Sequence, residues 1–271
     1  MGALRTQKGE DMERVALITG ASGGIGLELS KIFAQDGYNV VLVARNEDKL
    51  VKIKNAIERK YGVRAYVFAC DLKAEDAANK VLEFTSEHEL SVDVLVNNAG
   101  FGDCGAFAKS DWEKQQGMVR LNVIALMHLT HLYLPQMIER GEGRILNIAS
   151  VASVSAGPNM SVYYATKAFV RSFSEAIAEE AAPYGVSVTA LCPGPVDTGF
   201  EKTANVQDAP AFNLIPLADP HDVALCGYRA LMKRRKLVYY GIAAQAMAVG
   251  VRFLPASLCR KLAGKLNDKG E

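Results

Sequence analysis

Between Arg14 and Pro193, short apolar runs alternate with stretches of helical periodicity. The runs are "RVALIT", "NVVLVA", "RAYVFAC", "VDVLVN", "GRILNIAS" and "VSVTALCP". A run such as "NVVLVA", with no polar residue at every second place, is the pattern of a strand buried on both faces. The first intervening helix carries Ile25, Leu29, Ile32 and Phe33 on one face and ends at Gly37. Further helices are expected from about Glu47 to Tyr61, over 74–89, around 117–139 and from about 163 to 183. Strand followed by helix, repeated this often, predicts an α/β doubly wound parallel sheet of Rossmann type, with about seven strands and helices on both faces. No internal repeat or low-complexity linker interrupts it. Residues 1–271 are therefore expected to form one domain, with 194–271 as a substrate-loop and tail region.

The charge balance narrows the partners. With 31 basic and 30 acidic side chains, the chain lacks the basic excess of a nucleic-acid binder. Its five cysteines are odd in number, irregularly spaced and without a CxxC pair, as expected of reduced thiols in a cytoplasmic protein. The polar, charged start turns apolar only at Val15, opposite to a secretory signal. Met1–Thr6 fits the myristoylation pattern M-G-x-x-x-[ST], which is too short and tolerant to establish a lipid anchor. His128 and His131 lie three apart with no further ligand nearby, so no metal site is expected; they read as surface or packing residues. Asp103 and Cys104, after the fourth strand, read as loop residues, with lining of the substrate mouth as the alternative.

"TGASGGIG" (Thr19–Gly26) stands between the first strand and the first helix. Glycines there allow a tight turn and close backbone approach to a pyrophosphate, which then faces the free N–H groups of the helix start. At the end of the second strand, where an acid would accept from a ribose 2′-hydroxyl, this chain has Ala44 and Arg45. An arginine there suits a 2′-phosphate, hence NADP(H).

Together these residues resemble the short-chain dehydrogenase/reductase family, in its NADP(H)-preferring branch. Gly20, Gly24 and Gly26 fit T-G-x-x-x-G-x-G, "NNAG" (Asn97–Gly100) closes the fourth strand, and "LN" ends at Asn122. Ser150 precedes Tyr163 by thirteen residues, "YYATK" fits Y-x-[AS]-[ST]-K when Tyr163 leads, and "CPGPVDT" matches the P-G turn. The resemblance implies a pyridine-nucleotide cofactor, a small carbonyl or alcohol substrate, and homodimers or homotetramers. It places Gly20, Ser22, Gly23, Gly24, Ile25 and Gly26 at the pyrophosphate, Asp71 and Leu72 at the adenine, and Asn98, Ala99 and Gly100 under its ribose. It places Pro193, Gly194, Val196 and Thr198 near the nicotinamide, with Thr198 at the carboxamide. "FGDCGAFAKS" and the C-terminus differ from the acyl-carrier-protein ketoreductases, which argues against a housekeeping role in fatty-acid synthesis.

In the chemistry this implies, Tyr163 exchanges a proton with the substrate oxygen. Lys167, four residues on, is expected to lower the phenol's pKa and to hold the nicotinamide ribose along with Tyr163. Ser150 bonds the substrate oxygen, and Asn122 holds a water that relays protons to Lys167. A free phenol titrates near about 10, so about three units of lowering, roughly 4 kcal/mol, is required for work at neutral pH. The alternative is a non-catalytic NADP(H)-sensing protein on the same fold, which would have less need of all four groups.

The last quarter reads differently. Pro193, Pro195, Pro210, Pro216 and Pro220 predict an irregular segment over 194–218, then a helix capped by Asp219 and a strand at "KLVYYG". "LVYYGIAAQAMAVGV" is nearly chargeless but short of the roughly 20 residues of a membrane span. "ASLCRKLAGKLN" follows as a basic amphipathic helix. Closure of the substrate pocket and a subunit interface are the preferred roles for this tail, with a membrane-surface anchor as the third. An apolar lid suits a bulky lipophilic substrate of hydroxysteroid or fatty-acyl type.

Overall fold

The structure, a computed structural model, describes residues 13–207, 209–210 and 216–269. The Met1–Thr6 pattern lies outside them. Strands β1 (Val15–Thr19), β2 (Asn39–Ala44), β3 (Ala65–Ala69), β4 (Val92–Asn97), β5 (Gly143–Ile148), β6 (Val186–Pro193) and β7 (Leu237–Tyr240) form one parallel sheet in the order β3-β2-β1-β4-β5-β6-β7. The order reverses between β1 and β4. A crevice opens there at the carboxyl ends of the strands, and every candidate site residue lies near that edge or in segments that reach it.

The period of two along the strands divides the core. Ala16, Ile18, Val40, Leu42, Val94 and Val96 pack to one side with Leu29 and Phe33 of α1 (Gly24–Gln35). Val15, Leu17, Val41, Val43 and Leu95 pack to the other with Leu129, Tyr133 and Met137. Helix α2 (Glu47–Tyr61) is set by its ends: the Asn46 side chain accepts from Lys49 N, acids fill the first turn, Arg59 and Lys60 the last, and Gly62 closes it in the left-handed region. The helix expected over 74–89 is α3 (Ala77–Glu87), entered through a turn.

The helix expected at 117–139 starts earlier and is composite. Helix α4 (Trp112–Val119), capped by Asp111, runs through a π-helical turn at Arg120–Ala125 into α5 (Leu126–Arg140). A π turn holds one extra residue per turn and often marks a functional site; this one carries Asn122. Helix α6 (Ser161–Ala181) bears Tyr163 and Lys167. The segment expected to be irregular contains the short α7 (Phe200–Thr203). Asp219 caps α8 (Pro220–Met232) by accepting from His221 N.

The tail keeps the strand expected at "KLVYYG" and the helix expected at "ASLCRKLAGKLN", and adds a helix between them. Its apolar stretch is broken at Gly241 (φ 88), where β7 ends, and its alanine-rich remainder coils into α9 (Ile242–Gly250). Helix α10 (Ala256–Asn267) follows Pro255. No disulfide joins any of the five cysteines, three of which are buried.

Candidate active site

At the first turn of the crevice, glycine is a steric requirement. Gly20 has φ 67, and a Cβ there would lie 2.7 Å from Asn98 Nδ2. A Cβ on Gly26 would lie 2.4 Å from the Gly20 carbonyl oxygen. The turn is fastened from β4: Asn98 N and Ala99 N donate to Thr19 Oγ1 at 2.9 and 3.0 Å, and Asn98 Nδ2 donates to Thr19 O at 2.9 Å. The Asn98 amide is thus turned inward onto the turn. Deeper, Asn97 Nδ2 donates to Asn147 Oδ1 at 2.9 Å and Asn147 Nδ2 to Ser174 Oγ at 2.8 Å, stitching β4, β5 and α6. Helix α1 starts at this turn with no side-chain cap and no acid in its first turn, so its N–H groups remain available to an anion. A Cβ on Gly24 would lie 2.8 Å from Thr198, whose Oγ1 is turned to the backbone of Val196 and Phe200.

Beside this cradle, Arg45 and Lys49 are exposed, and neither enters an ion pair among the described residues. The Lys49 ammonium reaches the cradle itself, 3.7 Å from where a Gly23 Cβ would stand. Asp71 sits at the rim of the same edge, accepting from Lys73 N at 3.1 Å with its other oxygen 3.4 Å from Lys73 Nζ. Leu72 is buried in the core behind it. A glycine-rich turn, open helix N–H groups and two cations outside any ion pair among the described residues fit a dinucleotide with an additional phosphate.

Ser150, Tyr163, Lys167 and Asn122 converge at the other side of the crevice. Ser150 begins a short 3-10 turn, its Oγ accepting from Ala152 N at 3.1 Å and hydrogen-bonded to the Tyr163 phenol. Lys167 is buried, its ammonium donating to Ile148 O at 2.8 Å and lying 5.9 Å from the Tyr163 ring centre. The Asn122 amide clasps the β4 turn to α6: Oδ1 accepts from Phe101 N at 3.1 Å, while Nδ2 donates to Phe101 O at 2.9 Å and Thr166 Oγ1 at 3.1 Å. A Cβ on Gly100 would meet both Asn122 Oδ1, at 3.0 Å, and Lys167 Nζ, at 3.5 Å. That glycine leaves the two polar groups facing one gap. Pro193 ends β6, and Gly194 and Val196 follow it along the same edge.

The electrostatics add a cost that the spacing of the residues does not carry. Burial pushes the phenol up to about 12, against a smaller lowering by the Ser150 hydrogen bond. Burial also pulls Lys167 down to about 8. The reason is shared desolvation: the site that brings the two together disfavours the charge on each. The ammonium points to the Ile148 carbonyl, beside the Tyr163 ring.

The substrate side was not legible beforehand. Phe200 stands 5.4 Å from Tyr163, ring centre to ring centre, and would be 2.7 Å from a Cβ on Gly102, so it roofs the phenol. Asp103 is held by Lys114 and Gln115, at 2.5 and 2.7 Å, which makes it an anchor of the loop. Tyr164 turns away from Ser150 to pack under Gly157, its hydroxyl 3.4 Å from Asn267 Oδ1. The buried Asn267, at the end of α10, also donates to Pro158 O at 3.0 Å and accepts from the Cys104 thiol at 3.4 Å. The tail is thereby latched over the loop that walls the cleft. Among the described residues no cluster of metal-ligating side chains occurs.

The family profile described as short chain dehydrogenase matches residues 14–209. A fatty acyl-CoA reductase of Acinetobacter baylyi is 32% identical over 83% of this chain and 75% of its own length. A short-chain dehydrogenase from Sphingobium yanoikuyae, solved in complex with NADPH, is 29% identical with a TM-score of 0.79, over 89% of this chain and 94% of that one. The bulky-bulky ketone specific alcohol dehydrogenase from Comamonas testosteroni is 27% identical with a TM-score of 0.75, over 89% and 92%.

Proposed function

Because the chain belongs to the short-chain dehydrogenase family, we propose that it is an NADP(H)-dependent oxidoreductase interconverting a ketone and a secondary alcohol by hydride transfer, on a bulky lipophilic substrate. The observation that carries this is the Tyr163 phenol held on Ser150 with the Lys167 ammonium buried beside its ring. The nicotinamide, when bound, supplies or accepts the hydride. In reduction Tyr163 gives its proton to the carbonyl oxygen, which Ser150 orients by hydrogen bonding; in oxidation Tyr163 takes the hydroxyl proton. Lys167 sits where it can hold the nicotinamide ribose and favour a developing phenolate. Asn122 Oδ1 keeps one lone pair beyond its bond to Phe101, facing the gap toward Lys167, where a water can return the proton.

The cofactor is NADP(H). Arg45 with Lys49 supports the 2′-phosphate assignment, as do solved relatives in complex with NADPH. In fluorescence titration NADPH should bind more tightly than NADH. Arg45→Ala should weaken NADPH at least about tenfold, the scale of one charge-assisted hydrogen bond, and leave NADH nearly unchanged. Equal affinities in the unmodified protein would contradict the assignment.

The substrate class rests on the apolar, latched wall of Phe200, Cys104 and the tail. The similarity to a fatty acyl-CoA reductase and to a bulky-ketone dehydrogenase points the same way. NADPH consumption should rise in kcat/KM along a size-graded series of aliphatic, fatty-acyl and steroid ketones. A preference for the smallest ketones would contradict the substrate class.

A further inference from the structure

The tail carries an apolar surface that the rest of the fold does not cover. Ile242 is 86% exposed and Phe253 82%, and Val249, Leu254, Leu258 and Leu262 are also exposed along this segment. The rows follow helical spacing. Ile242 and Val249 are seven apart on α9, and Leu258 and Leu262 four apart on α10. The opposite faces are the buried ones, with Ala244 and Ala248 on α9 and Cys259, Ala263 and Asn267 on α10. Large exposed side chains clustered this way mark an interaction surface.

Charge selects the occupant. From Gly241 to Asn267 there is no aspartate or glutamate, while Arg252, Arg260, Lys261 and Lys265 are present, in a chain whose totals are 31 basic and 30 acidic residues. Lys261 and Lys265 each follow an exposed leucine by three residues on α10, so cations rim the apolar row. A second copy of the chain would oppose this surface to itself in a two-fold interface. That would set cations against cations with no acid on either helix to pair them. Among the described residues no helix is long and apolar enough to cross a membrane. Helices of this kind lie in the plane of a bilayer surface, apolar side chains among the acyl chains and cations at the phosphates.

We infer that α9 and α10 dock the protein on the surface of an anionic phospholipid bilayer. Binding is carried by the exposed apolar row and selected by the cationic rim. The reverse face of α10 is latched to Tyr164 and the Cys104 loop, so the docked surface backs onto the wall of the Tyr163 cleft. The docking does not depend on the proposed hydride transfer, and it can be measured without turnover.

The test is flotation of the full chain with phosphatidylcholine vesicles, with and without phosphatidylglycerol. The expected result is binding to the phosphatidylglycerol vesicles, weaker binding to neutral ones, and release by salt. The triple variant Ile242→Ser, Phe253→Ser and Leu258→Ser should weaken binding at least about tenfold, and Lys261→Glu with Lys265→Glu should abolish the preference for anionic vesicles. Retained NADPH binding would show each variant folded; the charge-reversed variant decides the matter if the triple one is not. No vesicle binding by the unmodified chain, or unchanged binding by folded variants, overturns the inference. So does capture by polyglutamate without capture by vesicles, which would assign the surface to an acidic protein. A change in sedimentation-velocity mass in the triple variant would assign it to a subunit interface and equally overturn it.

Discussion

Tyr163→Phe should lower kcat at least about a hundredfold, the lower range for loss of a general acid–base group, with NADPH affinity kept. The substitution removes one oxygen and little volume, and the ring that packs against Phe200 remains. The neighbouring Tyr164→Phe is the control for helix integrity. Both tyrosines stand within one helical turn of Lys167, but adjacent helix residues diverge by about 100°, so the two phenols serve different surroundings. Tyr163 meets Ser150, while Tyr164 meets Gly157 and the latch residue Asn267. Tyr164→Phe should keep kcat within about tenfold, since a long, partly buried hydrogen bond contributes about 1 kcal/mol. Any effect on it should appear in KM for large ketones, through the loosened tail. Should Tyr164→Phe be the inactive variant, the assignment of the acid is wrong.

Lys167→Met should cost at least about a hundredfold in kcat/KM, since it removes the cation nearest the phenol. It carries a second, independent signature in stability. The Lys167 pKa is lowered from 10.5 to about 8 by burial. The unfolded chain therefore binds more protons than the folded one between those values, and the lysine's contribution to stability grows as pH rises through that window. Below about pH 8 the penalty is present in full, on the order of 3 kcal/mol. Methionine removes it but leaves the Ile148 carbonyl without its donor, a loss of about 1–3 kcal/mol. Near neutrality the two should nearly offset, and the variant should be about as stable as the parent. From about pH 8 to about pH 10 the parent should gain on the variant. Tyr163 acts oppositely: its pKa is raised from 10.0 to about 12, so its effect falls above that window. Urea unfolding of both proteins at the two ends of the window measures the difference. A gap independent of pH would show that Lys167 does not titrate as its burial requires.

The architecture was legible because strands buried on both faces leave no polar position to mask them, and because caps such as Asn46 and Asp219 are local. Tyr163 and the three groups around it were legible as spacing. Their electrostatics were not, since desolvation of both Tyr163 and Lys167 depends on what the fold packs over them. Lys49 was missed because its reach to Gly23 joins two helices that only the sheet order brings together. Asn97 and Asn147 left a readable signal, a polar residue ending one apolar run and interrupting another, and they pair in register across β4 and β5. Asn267 left none: its meaning lies in contacts more than a hundred residues away. In the tail the strand at "KLVYYG" was legible, but the helix Ile242–Gly250 was not, because its mostly apolar residues show no amphipathic period.

The central claim is that these residues move a hydride between NADP(H) and a lipophilic carbonyl. Its most direct measurement is label transfer from NADPH deuterated at the transferring nicotinamide carbon, incubated with the protein and a panel of fatty-acyl and steroid ketones. The product is read by mass spectrometry. The account predicts an alcohol carrying deuterium at the carbinol carbon, formed by the unmodified protein and nearly absent with Tyr163→Phe. Tight binding of the labelled NADPH with no labelled alcohol from any ketone would contradict it, and would leave a nucleotide-binding protein without this chemistry.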